Sequence, residues 1–424
     1  MKILVIGSGG REHALAWKCA QDSIVEHVYV CPGNAGTHLE NKVSNVEFDL
    51  NEFSSIEKFC LIEKIGLVII GPEQPLVDGL TDYLQSKNIK TFGPSKNAAQ
   101  LEGSKTFSKD FFVKYGIPTA KYKSFDNFKD SIQYLHEIAF PTVIKADGLA
   151  AGKGVIICQN FEEAEQALNS IFNDKAFGTA GNRVVVEEFL EGEEASFIAV
   201  VSKDKIIPLA TSQDHKAVGD GDKGLNTGGM GAYSPSRLIT AELRNKIINK
   251  IINPTLKGLS DLGTEYQGFL YTGLMIVENE PYLIEYNVRM GDPECQTILP
   301  KLKTDLLDIF LACCNEKLND INIEWSNKKS LCIVLCSKGY PEKIKKNIKL
   351  NNLNNIRLNK FEYIYHAGTK SVDDEVYAIG GRVLNFVSLS DNFKNARKSI
   401  INKIAELNWN DGFFRKDIGF KVIN

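Results

Sequence analysis

The spacing of apolar residues over the first hundred positions alternates between a strand pattern and a helix pattern. Short apolar runs predict strands at 2–6, 27–30, 66–70 and 89–92. Amphipathic stretches between them predict helices at 12–20 and 76–86. Alternation of this kind is typical of a parallel sheet flanked by helices. The first region is therefore predicted to be an α/β domain.

Each of these predicted strands ends in a turn rich in glycine or proline. The turns lie at 7–10, 32–36, 71–73 and 93–94. In parallel α/β sheets, ligands bind just beyond the carboxyl ends of the strands. We therefore expect the four turns to share one crevice.

The rest of the chain mixes longer helices with paired strands. Helices are predicted at 104–115, 161–172, 242–259, 302–313 and 393–407. Strands are predicted at 141–145, 155–158, 183–190, 195–201, 206–210, 268–277, 281–289, 331–336, 363–366 and 375–385. A three-residue turn separates 268–277 from 281–289, which favours an antiparallel hairpin. The strands and the helix predicted from residue 326 onward indicate a small α+β unit.

One strand of that hairpin carries a row of polar side chains. Side chains in a strand alternate between faces, so Glu285, Asn287 and Arg289 are predicted to share one face. A carboxylate and an amide oxygen suit a hard cation such as Mg²⁺. An arginine beside them suits a phosphate or a carboxylate. The alternative is a half-buried strand whose polar face is merely solvated.

The glycine-rich turn at 7–10 resembles a dinucleotide-binding fingerprint but fails its test. The fingerprint needs a third glycine where Glu12 stands, and the second strand ends at Cys31 instead of an acidic residue. A bound NAD is therefore not expected. The turn still offers amides at a helix N-terminus to a single phosphate, or it is a tight turn with no ligand.

Two further segments are rich in small or polar residues. Residues 146–154 lie between two strands next to Lys145 and Lys153, and they resemble a flap whose amides close over phosphates. They are not a P-loop, because Gly154 follows Lys153 where Ser or Thr is required. Residues 213–231 form a long polar loop. There His215 is either a structural histidine or, between Asp214 and Lys216, a substrate contact.

Composition narrows the functional classes. The 424 residues carry a net charge of −3, with 43% hydrophobic and 24% charged residues, as in ordinary globular proteins. No global charge favours nucleic acid or an anionic membrane as a partner, and no stretch is apolar enough to span a membrane. The nine cysteines are odd in number and scattered, which favours reduced core residues in a cytosolic protein.

The order of the motifs resembles the phosphoribosylamine–glycine ligase family of the ATP-grasp superfamily. They are GSGGREHA at 7–14, PGNAG at 32–36, GPE at 71–73, KADGLAAGKG at 145–154, QDHK at 213–216, NTGGMGAY at 226–233, RMGDPE at 289–294, HAGT at 366–369 and RKDIG at 415–419. The resemblance implies an α/β and α+β multidomain protein. An ATP-grasp domain at 104–325, with a mobile lid at about 120–190, follows a parallel α/β domain at 1–103 and precedes an α+β domain at 326–424.

The resemblance also implies a set of site residues. ATP would contact Lys105, Lys145, Gly152, Lys153, Gly154, Glu187, Glu188, Phe189, Leu190, Glu194, Lys216 and Asn226. The substrates would contact Gly9, Gly10, Asn34, Glu73, Asp214, His215, Gly229, Arg289 and Asp292. Arg289, Asp214 and Lys145 would be catalytic, and Glu285 and Asn287 would hold Mg²⁺, with Mn²⁺ as the alternative metal.

The implied reaction joins glycine to 5-phosphoribosylamine at the expense of ATP, through glycyl phosphate, in purine biosynthesis. The expected partners are these small molecules only, and the expected protein is a cytoplasmic monomer that binds neither nucleic acid nor membrane. Rival interpretations are another ATP-grasp ligase or carboxylase, an NAD-dependent oxidoreductase and a non-catalytic nucleotide sensor. Glycine dependence of ADP release separates the first rival, and ATP turnover separates the last.

Overall fold

A computed structural model describes residues 1–149 and 154–423. Residues 1–103 form a parallel sheet of five strands in the order β3-β2-β1-β4-β5. The strands are β1 (Lys2–Gly7), β2 (His27–Pro32), β3 (Val43–Asn45), β4 (Ile65–Ile70) and β5 (Thr91–Phe92). The helices are α1 (Gly10–Ala20), α2 (Phe53–Glu63), α3 (Glu73–Asp78), α4 (Leu80–Ser86) and α5 (Lys96–Gly103). The predicted parallel α/β sheet is confirmed.

Local chemistry explains two differences from the predicted helices. The helix expected at 76–86 is divided into α3 and α4 because Gly79 has a φ of +97°, a conformation that suits glycine and interrupts helical backbone. Helix α2 is not among the predicted helices. Its apolar residues are spread around the helix, and it buries only Ile56 and Cys60 fully.

The next region contains a separate four-stranded antiparallel sheet in the order β6-β9-β7-β8. Helix α6 (Lys105–Lys114) leads into it. Its elements are β6 (Tyr122–Phe125), α7 (Phe128–Leu135), β7 (Thr142–Ala146), β8 (Val155–Cys158), α8 (Phe161–Phe172) and β9 (Val184–Glu188). The two helices pack on the sheet over a core of their own. This region coincides with the predicted lid.

A second antiparallel sheet, in the order β11-β10-β16-β17, carries the polar strip. The strands that follow the lid are β10 (Glu193–Ser202), β11 (Lys205–Pro208), β12 (Gln213–Asp214), β13 (Ala217–Gly219), β14 (Lys223–Asn226) and β15 (Gly231–Ser234). Next come α9 (Ala241–Ile247), a π-helical turn (Ile248–Ile252), α10 (Asn253–Asp261), β16 (Gln267–Val277), β17 (Glu280–Asn287), α11 (Glu294–Ile298) and α12 (Leu306–Cys314). Strands β16 and β17 form the predicted hairpin.

The C-terminal region builds an antiparallel sheet in the order β12-β15-β18-β23-β20, with β24 beside β18. Its elements are β18 (Lys329–Ser337), β19 (Ile348–Lys349), β20 (Glu362–His366), β21 (Thr369–Val372), β22 (Glu375–Ala378), β23 (Arg382–Ser390), α13 (Phe393–Leu407) and β24 (Gly412–Phe413). Short 3₁₀ turns lie at 37–39, 178–182, 299–301, 318–320 and 353–355. Because β12 and β15 belong to this sheet, the polar loop links the middle region to the C-terminal one.

The core is continuous across these regions. One apolar cluster joins one face of the first sheet to residues of the C-terminal sheet, and a second joins its other face to the sheet of β16 and β17. All nine cysteines are unpaired thiols, and eight of them are buried, as the scattered pattern predicted. Within 1–149 and 154–423, no helix is both long and apolar enough to cross a membrane.

Candidate active site

A cavity of about 330 Å³ opens where the three regions meet. Its lining is dominated by charged side chains, and every region contributes to it. These charged residues are Arg11, Glu73, Glu102, Lys105, Lys109, Lys145, Glu187, Glu194, Asp214, Lys216, Glu285, Arg289, Asp292, Glu294 and Arg382. Such a concentration of both signs suits a polar, multiply charged ligand.

The end of β17 supplies one wall of the cavity. Glu285, Asn287 and Arg289 all line it, together with Ile284 and Tyr286 from the intervening positions, whereas Val288 is buried in the core. The three polar side chains therefore reach one cavity, although the strand itself ends at Asn287. On the neighbouring strand Gly273 pairs with Glu285, and a Cβ there would lie 3.2 Å from the Glu285 side chain. The absence of a side chain at Gly273 leaves room for this carboxylate.

Positive charges surround Glu285. Burial opposes its ionisation, but Lys216, Lys145 and Lys105 together hold its pKa below the ordinary value. Glu285 is therefore a carboxylate at neutral pH. A charged carboxylate next to the Asn287 amide is a suitable donor pair for a hard cation.

Three lysines approach the cavity from the lid and from α6. Lys145 Nζ lies 2.9 Å from the Glu187 carboxylate, and Lys109 Nζ lies 3.0 Å from the same group. Burial lowers the pKa of Lys109 to about 8. Lys105 Nζ donates to the carbonyl of Gly148 at 2.9 Å. These contacts hold the ammonium groups between α6 and the end of β7.

Lys216 and Glu194 form an ion pair on another side of the cavity, with Nζ and Oε2 3.0 Å apart. Lys216 directly precedes β13, and Asn226 is the last residue of β14, which pairs with β13. Both residues line the cavity, so the ribbon of β13 and β14 brings two predicted ATP contacts to its wall.

A third wall is formed by the polar loop, the turn after β17 and the C-terminal sheet. Arg382, on β23, donates to the carbonyl oxygens of Gly228 and Asp292, and its Nη1 lies 3.3 Å from Asp292 Oδ1. Gly229 has a φ of +111°, and a Cβ there would lie 2.5 Å from Pro293 and 3.0 Å from Asp214. Only glycine permits this close approach between the polar loop and the turn after β17. Asp214 from the loop and Asp292 from the turn both line the cavity.

Asp214 and Asp292 have opposite electrostatic environments. Burial and the nearby Glu294 raise the pKa of Asp214 well above its usual range. The pKa of Asp292 is lowered despite its burial, because Arg382 and Arg11 lie beside it. Two carboxyl groups with separated pKa values can take different roles in proton transfer.

The glycine-rich turn uses one of its amides within the turn. The N–H of Gly9 donates to Glu12 Oε2 at 2.7 Å. A Cβ on Gly10 would collide with Asn385 and Gln296, which shows how closely the turn packs on α11 and on the C-terminal region. The contact of a phosphate with Gly9 and Gly10 stays a prediction, and it requires the Gly9 N–H to exchange Glu12 for the ligand.

Asn34 is expected from sequence to contact substrate, but its side chain is committed to the fold. Its amide donates to the carbonyls of Ser8 at 2.8 Å and His366 at 2.9 Å. Its oxygen accepts from the N–H groups of Gly36 at 2.9 Å and Thr37 at 3.1 Å. Two donors and two acceptor positions are all that an asparagine side chain has. Asn34 therefore ties three loops together.

His215 also differs from the substrate contact that is expected from sequence. Its ring packs against Tyr233 and Phe420, and its Nε2 accepts from the N–H of Gly419 at 3.3 Å. The ring is buried and does not line the cavity. This packing favours the structural alternative, while Nδ1 is buried without a hydrogen-bond partner among the described residues. The substrate contact of His215 stays a prediction.

Of the other predicted site residues, some line the cavity and some lie outside it. Glu73 lines the cavity, and its Oε2 lies 3.2 Å from Arg289 Nε. Gly154 and Glu187 also line it, whereas Glu188, Phe189 and Leu190 lie at and beyond the end of β9, outside the lining. Gly152 and Lys153 fall outside the described residues. No group of three or more His, Cys, Asp or Glu side chains that could hold a metal is found in the part of the chain described.

Sequence reasoning missed several charged residues of the cavity. They are Arg11, Glu102, Lys109, Glu294 and Arg382. Arg11 and Glu294 lie inside motifs that the sequence singles out, so their proximity to motif glycines is a usable signal. Glu102, Lys109 and Arg382 lie in ordinary helix or strand sequence, where nothing local distinguishes a site residue from a solvated one.

Comparison with known proteins places these residues in a family. Three family models match along the chain: the N domain of phosphoribosylglycinamide synthetase at residues 1–102, its ATP-grasp (A) domain at 103–295 and its C domain at 330–421. A phosphoribosylamine–glycine ligase of Haemophilus influenzae is 46% identical over 424 residues, covering 100% of this chain and 99% of that protein. The Escherichia coli K12 enzyme of the same name is 48% identical over 427 residues, with the same coverage.

Solved structures agree. The phosphoribosylamine–glycine ligase of Thermotoga maritima has a TM-score of 0.83 and 31% identity, covering 99% of this chain and 100% of that one. A biotin carboxylase domain of Hydrogenobacter thermophilus 2-oxoglutarate carboxylase has a TM-score of 0.73 at 16% identity, over 95% of this chain and 89% of that one. The latter likeness concerns the fold alone. The chain belongs to the phosphoribosylglycinamide synthetase family, with its N, ATP-grasp and C domains in order.

Proposed function

We propose that this protein ligates glycine to 5-phosphoribosylamine, using ATP and forming glycinamide ribonucleotide, ADP and phosphate in purine biosynthesis. The observation that carries the proposal is the cavity at the meeting point of the three regions. It combines lysines from the lid side with Glu285, Asn287 and Arg289 from β17 and with Asp214 and Asp292 from the opposite wall. Family membership over the full chain supports the same reaction.

The first step is phosphoryl transfer from ATP. The carboxylate of glycine attacks the γ-phosphorus, which gives glycyl phosphate and releases ADP. Lys105, Lys145 and Arg289 line the cavity. The two lysines are proposed to bind the phosphates, and Arg289 is proposed to stabilise the charge on the group in transfer. Phosphoryl transfer depends mainly on positioning and charge neutralisation, so no covalent protein nucleophile is needed.

The second step forms the amide. The amine of 5-phosphoribosylamine attacks the acyl carbon of glycyl phosphate, phosphate leaves, and the nitrogen gives up a proton. Asp214, whose carboxyl group lines the cavity, is the proposed proton acceptor. Asp292 remains ionised and is proposed to bind the amino group of glycine. Exclusion of water by the lid protects an acyl phosphate that hydrolyses readily.

Glu285 and Asn287 fit a magnesium ion by the chemistry of their oxygens and by the charge state of Glu285. When bound, Mg²⁺ neutralises charge on the phosphates of ATP, and Mn²⁺ offers the same chemistry. ATP is proposed to reach Lys216, Glu194, Asn226, Gly154 and the Glu187–Leu190 segment, together with Gly152 and Lys153. Gly229 and Glu73 are proposed to shape the substrate side through Asp214 and Arg289.

The remaining parts of the proposal concern organisation. We divide the chain at 1–103, 104–325 and 326–424, with the lid at about 120–190. The shared sheet of β12, β15 and β18 crosses the second boundary, so these units are proposed to act together. A monomer in the cytoplasm, acting on small molecules alone, is the proposed working form.

ADP release tests the reaction. Purified protein is mixed with MgATP, glycine and freshly generated 5-phosphoribosylamine, and each is omitted in turn. We expect release only when all are present, with incorporation of labelled glycine into the ribonucleotide. Turnover that ignores glycine, or that accepts bicarbonate in its place, would instead support a different ATP-grasp ligase or carboxylase. Chelation of the metal with EDTA should stop release, and added Mg²⁺ should restore it.

A further inference from the structure

Glu102 contacts Arg289 in two ways. Its Oε1 lies 2.8 Å from Arg289 Nη2, and its Oε2 accepts the backbone N–H of Val288 at 2.7 Å. One carboxylate therefore holds both the guanidinium and the backbone immediately before it. The Glu102 side chain is only 7% exposed, so water competes little for these contacts.

The donors of Arg289 can be counted. Its Nε donates to Glu73, and one N–H of Nη1 donates to the Met290 carbonyl at 3.2 Å, whereas Nη2 forms an ion pair with Glu102. A guanidinium has five N–H donors in a rigid plane. With these contacts to described residues in place, donors on both terminal nitrogens remain for a ligand. Arginine binds oxyanions with such paired donors.

The three contacts differ in what they fix. Glu73 holds the Nε edge from α3, and the Met290 carbonyl is local. Glu102 lies on α5, which packs against β17. Its contact with the Val288 N–H fixes the position of the backbone, and its ion pair with Nη2 fixes the rotation of the guanidinium plane. A loss of Glu102 would leave Nη2 without its partner and allow the plane to rotate about the Glu73 contact.

Glu102 also lies close to the lysine end of the site. It precedes Ser104, the N-cap of α6, and α6 begins at Lys105, whose ammonium group lines the same cavity. Displacement of Glu102 therefore changes the spacing between the proposed phosphate-binding lysine and Arg289. Burial and the neighbouring Glu73 raise the pKa of Glu102, to about 7, and this agrees with a carboxyl enclosed by protein.

We propose that Glu102 is a positioning residue for phosphoryl transfer, acting through Arg289 by fixing its guanidinium so that the remaining N–H donors face the transferring group. This inference rests on the proposed function, in which Arg289 stabilises the phosphoryl group. It assigns to Glu102 an effect on the chemical step, while the contacts proposed for the nucleotide remain intact.

Steady-state kinetics of Glu102→Gln test this role. The amide can still accept the Val288 N–H, but it cannot become the charged partner of Arg289, so rates are compared at about pH 8, above the Glu102 pKa of about 7. We expect kcat to fall on the order of 10²-fold, the cost of misplacing a catalytic group by about 1 Å, with little change in KM for ATP. Glu102→Asp, which restores the charge on a shorter side chain, should recover part of kcat. Glu265→Gln, at an exposed glutamate paired with Lys203, is the matched control and should behave as the wild type.

A double-mutant cycle separates positioning from independent catalysis. If Glu102 acts through Arg289, Glu102→Gln combined with Arg289→Lys should be no slower than Arg289→Lys alone. Multiplied losses, an unchanged kcat in Glu102→Gln, or a change confined to KM for ATP would overturn the inference. If Glu102→Gln does not fold by circular dichroism, the same cycle is run with Glu102→Asp. Wild-type protein without glycine-dependent ADP release would overturn the proposed function itself, whereas an active wild type with an unaffected variant overturns only the role of Glu102.

Discussion

Two polar regions of this protein contain similar residues but use them differently. At the end of β17, Glu285 and Asn287 face a cavity. In the turns after β1 and β2, the Gly9 N–H is paired within its own turn, and the Asn34 side chain is paired with its own and neighbouring loops. The difference shows that residue type alone does not make a site. What matters is whether packing leaves donors, acceptors and charge available to a ligand.

The physical cause is the surface that each region must bury. The turns after β1 and β2 are covered by the C-terminal region, where Asn385 meets Gly10 and His366 meets Asn34. Buried polar groups there must find protein partners, since an unpaired one is costly. The polar face at the end of β17 instead opens into the cavity beside the lid. Its charges are balanced by lysines across a gap that ATP and glycine are proposed to fill.

The largest effect that would sharpen this contrast is expected for Glu285→Gln. Loss of the charge removes the proposed ionic ligand for Mg²⁺ and leaves Lys216, Lys145 and Lys105 without their shared counter-charge. We expect kcat for glycine-dependent ADP release to fall at least about 100-fold, as on loss of a preorganised charge contact in other enzymes. Circular dichroism should be unchanged. Near-normal turnover at low Mg²⁺ would contradict the proposed role of Glu285 as a metal ligand.

A smaller loss of activity is expected for Arg382→Lys, at the C-terminal wall. Lysine keeps the charge but cannot bridge the Gly228 carbonyl, the Asp292 carboxylate and the Asp292 carbonyl with one planar group. We expect kcat/KM for glycine to fall roughly 10-fold, about the value of one charge-assisted hydrogen bond. Arg357→Lys, at an exposed position, is the matched control. An unchanged kcat/KM in both variants would show that the C-terminal region only packs against the site.

These two residues also show how far sequence reasoning reaches. Glu285 could be found because strand alternation places it with Asn287 and Arg289, and because the hairpin of β16 and β17 is a local structure. Arg382 could not, because its approach to Asp292 depends on how two distant sheets pack. The parallel first sheet and the helices at 161–172 and 393–407 followed from local periodicity. The coverage of the N-terminal turns by the C-terminal region is a long-range property that no local pattern contains.

Asn34→Ala tests the packed side of the comparison. The substitution leaves four backbone groups, in Ser8, His366, Gly36 and Thr37, without their partner. Since one buried unpaired group costs about 1–3 kcal/mol, we expect the free energy of unfolding to fall by at least about 2 kcal/mol in urea titrations. KM for phosphoribosylamine should be unchanged. Asn51→Ala, at an exposed loop, serves as the control. A raised KM for phosphoribosylamine without loss of stability would instead show that Asn34 contacts the substrate.

The effect expected for His215→Gln depends on pH, and it is absent at neutral pH. Burial, with Arg415 nearby, lowers the pKa of His215 from 6.5 to about 4 in the folded protein. Between those values the unfolded chain binds a proton that the folded protein does not, so stability falls as pH falls from about 6.5 to about 4. The full effect of one such histidine is roughly 3 kcal/mol.

Glutamine cannot take up that proton, yet it can accept the Gly419 N–H. The free energy of unfolding of His215→Gln should therefore depend less steeply on pH than that of the wild type between about pH 6.5 and about pH 4. His366, whose pKa burial also lowers, to about 3, keeps part of the slope in both proteins. Turnover at neutral pH should match the wild type, because the ring does not line the cavity. A loss of kcat with an unchanged pH slope would place His215 among the cavity-facing residues and remove it from the packed ones.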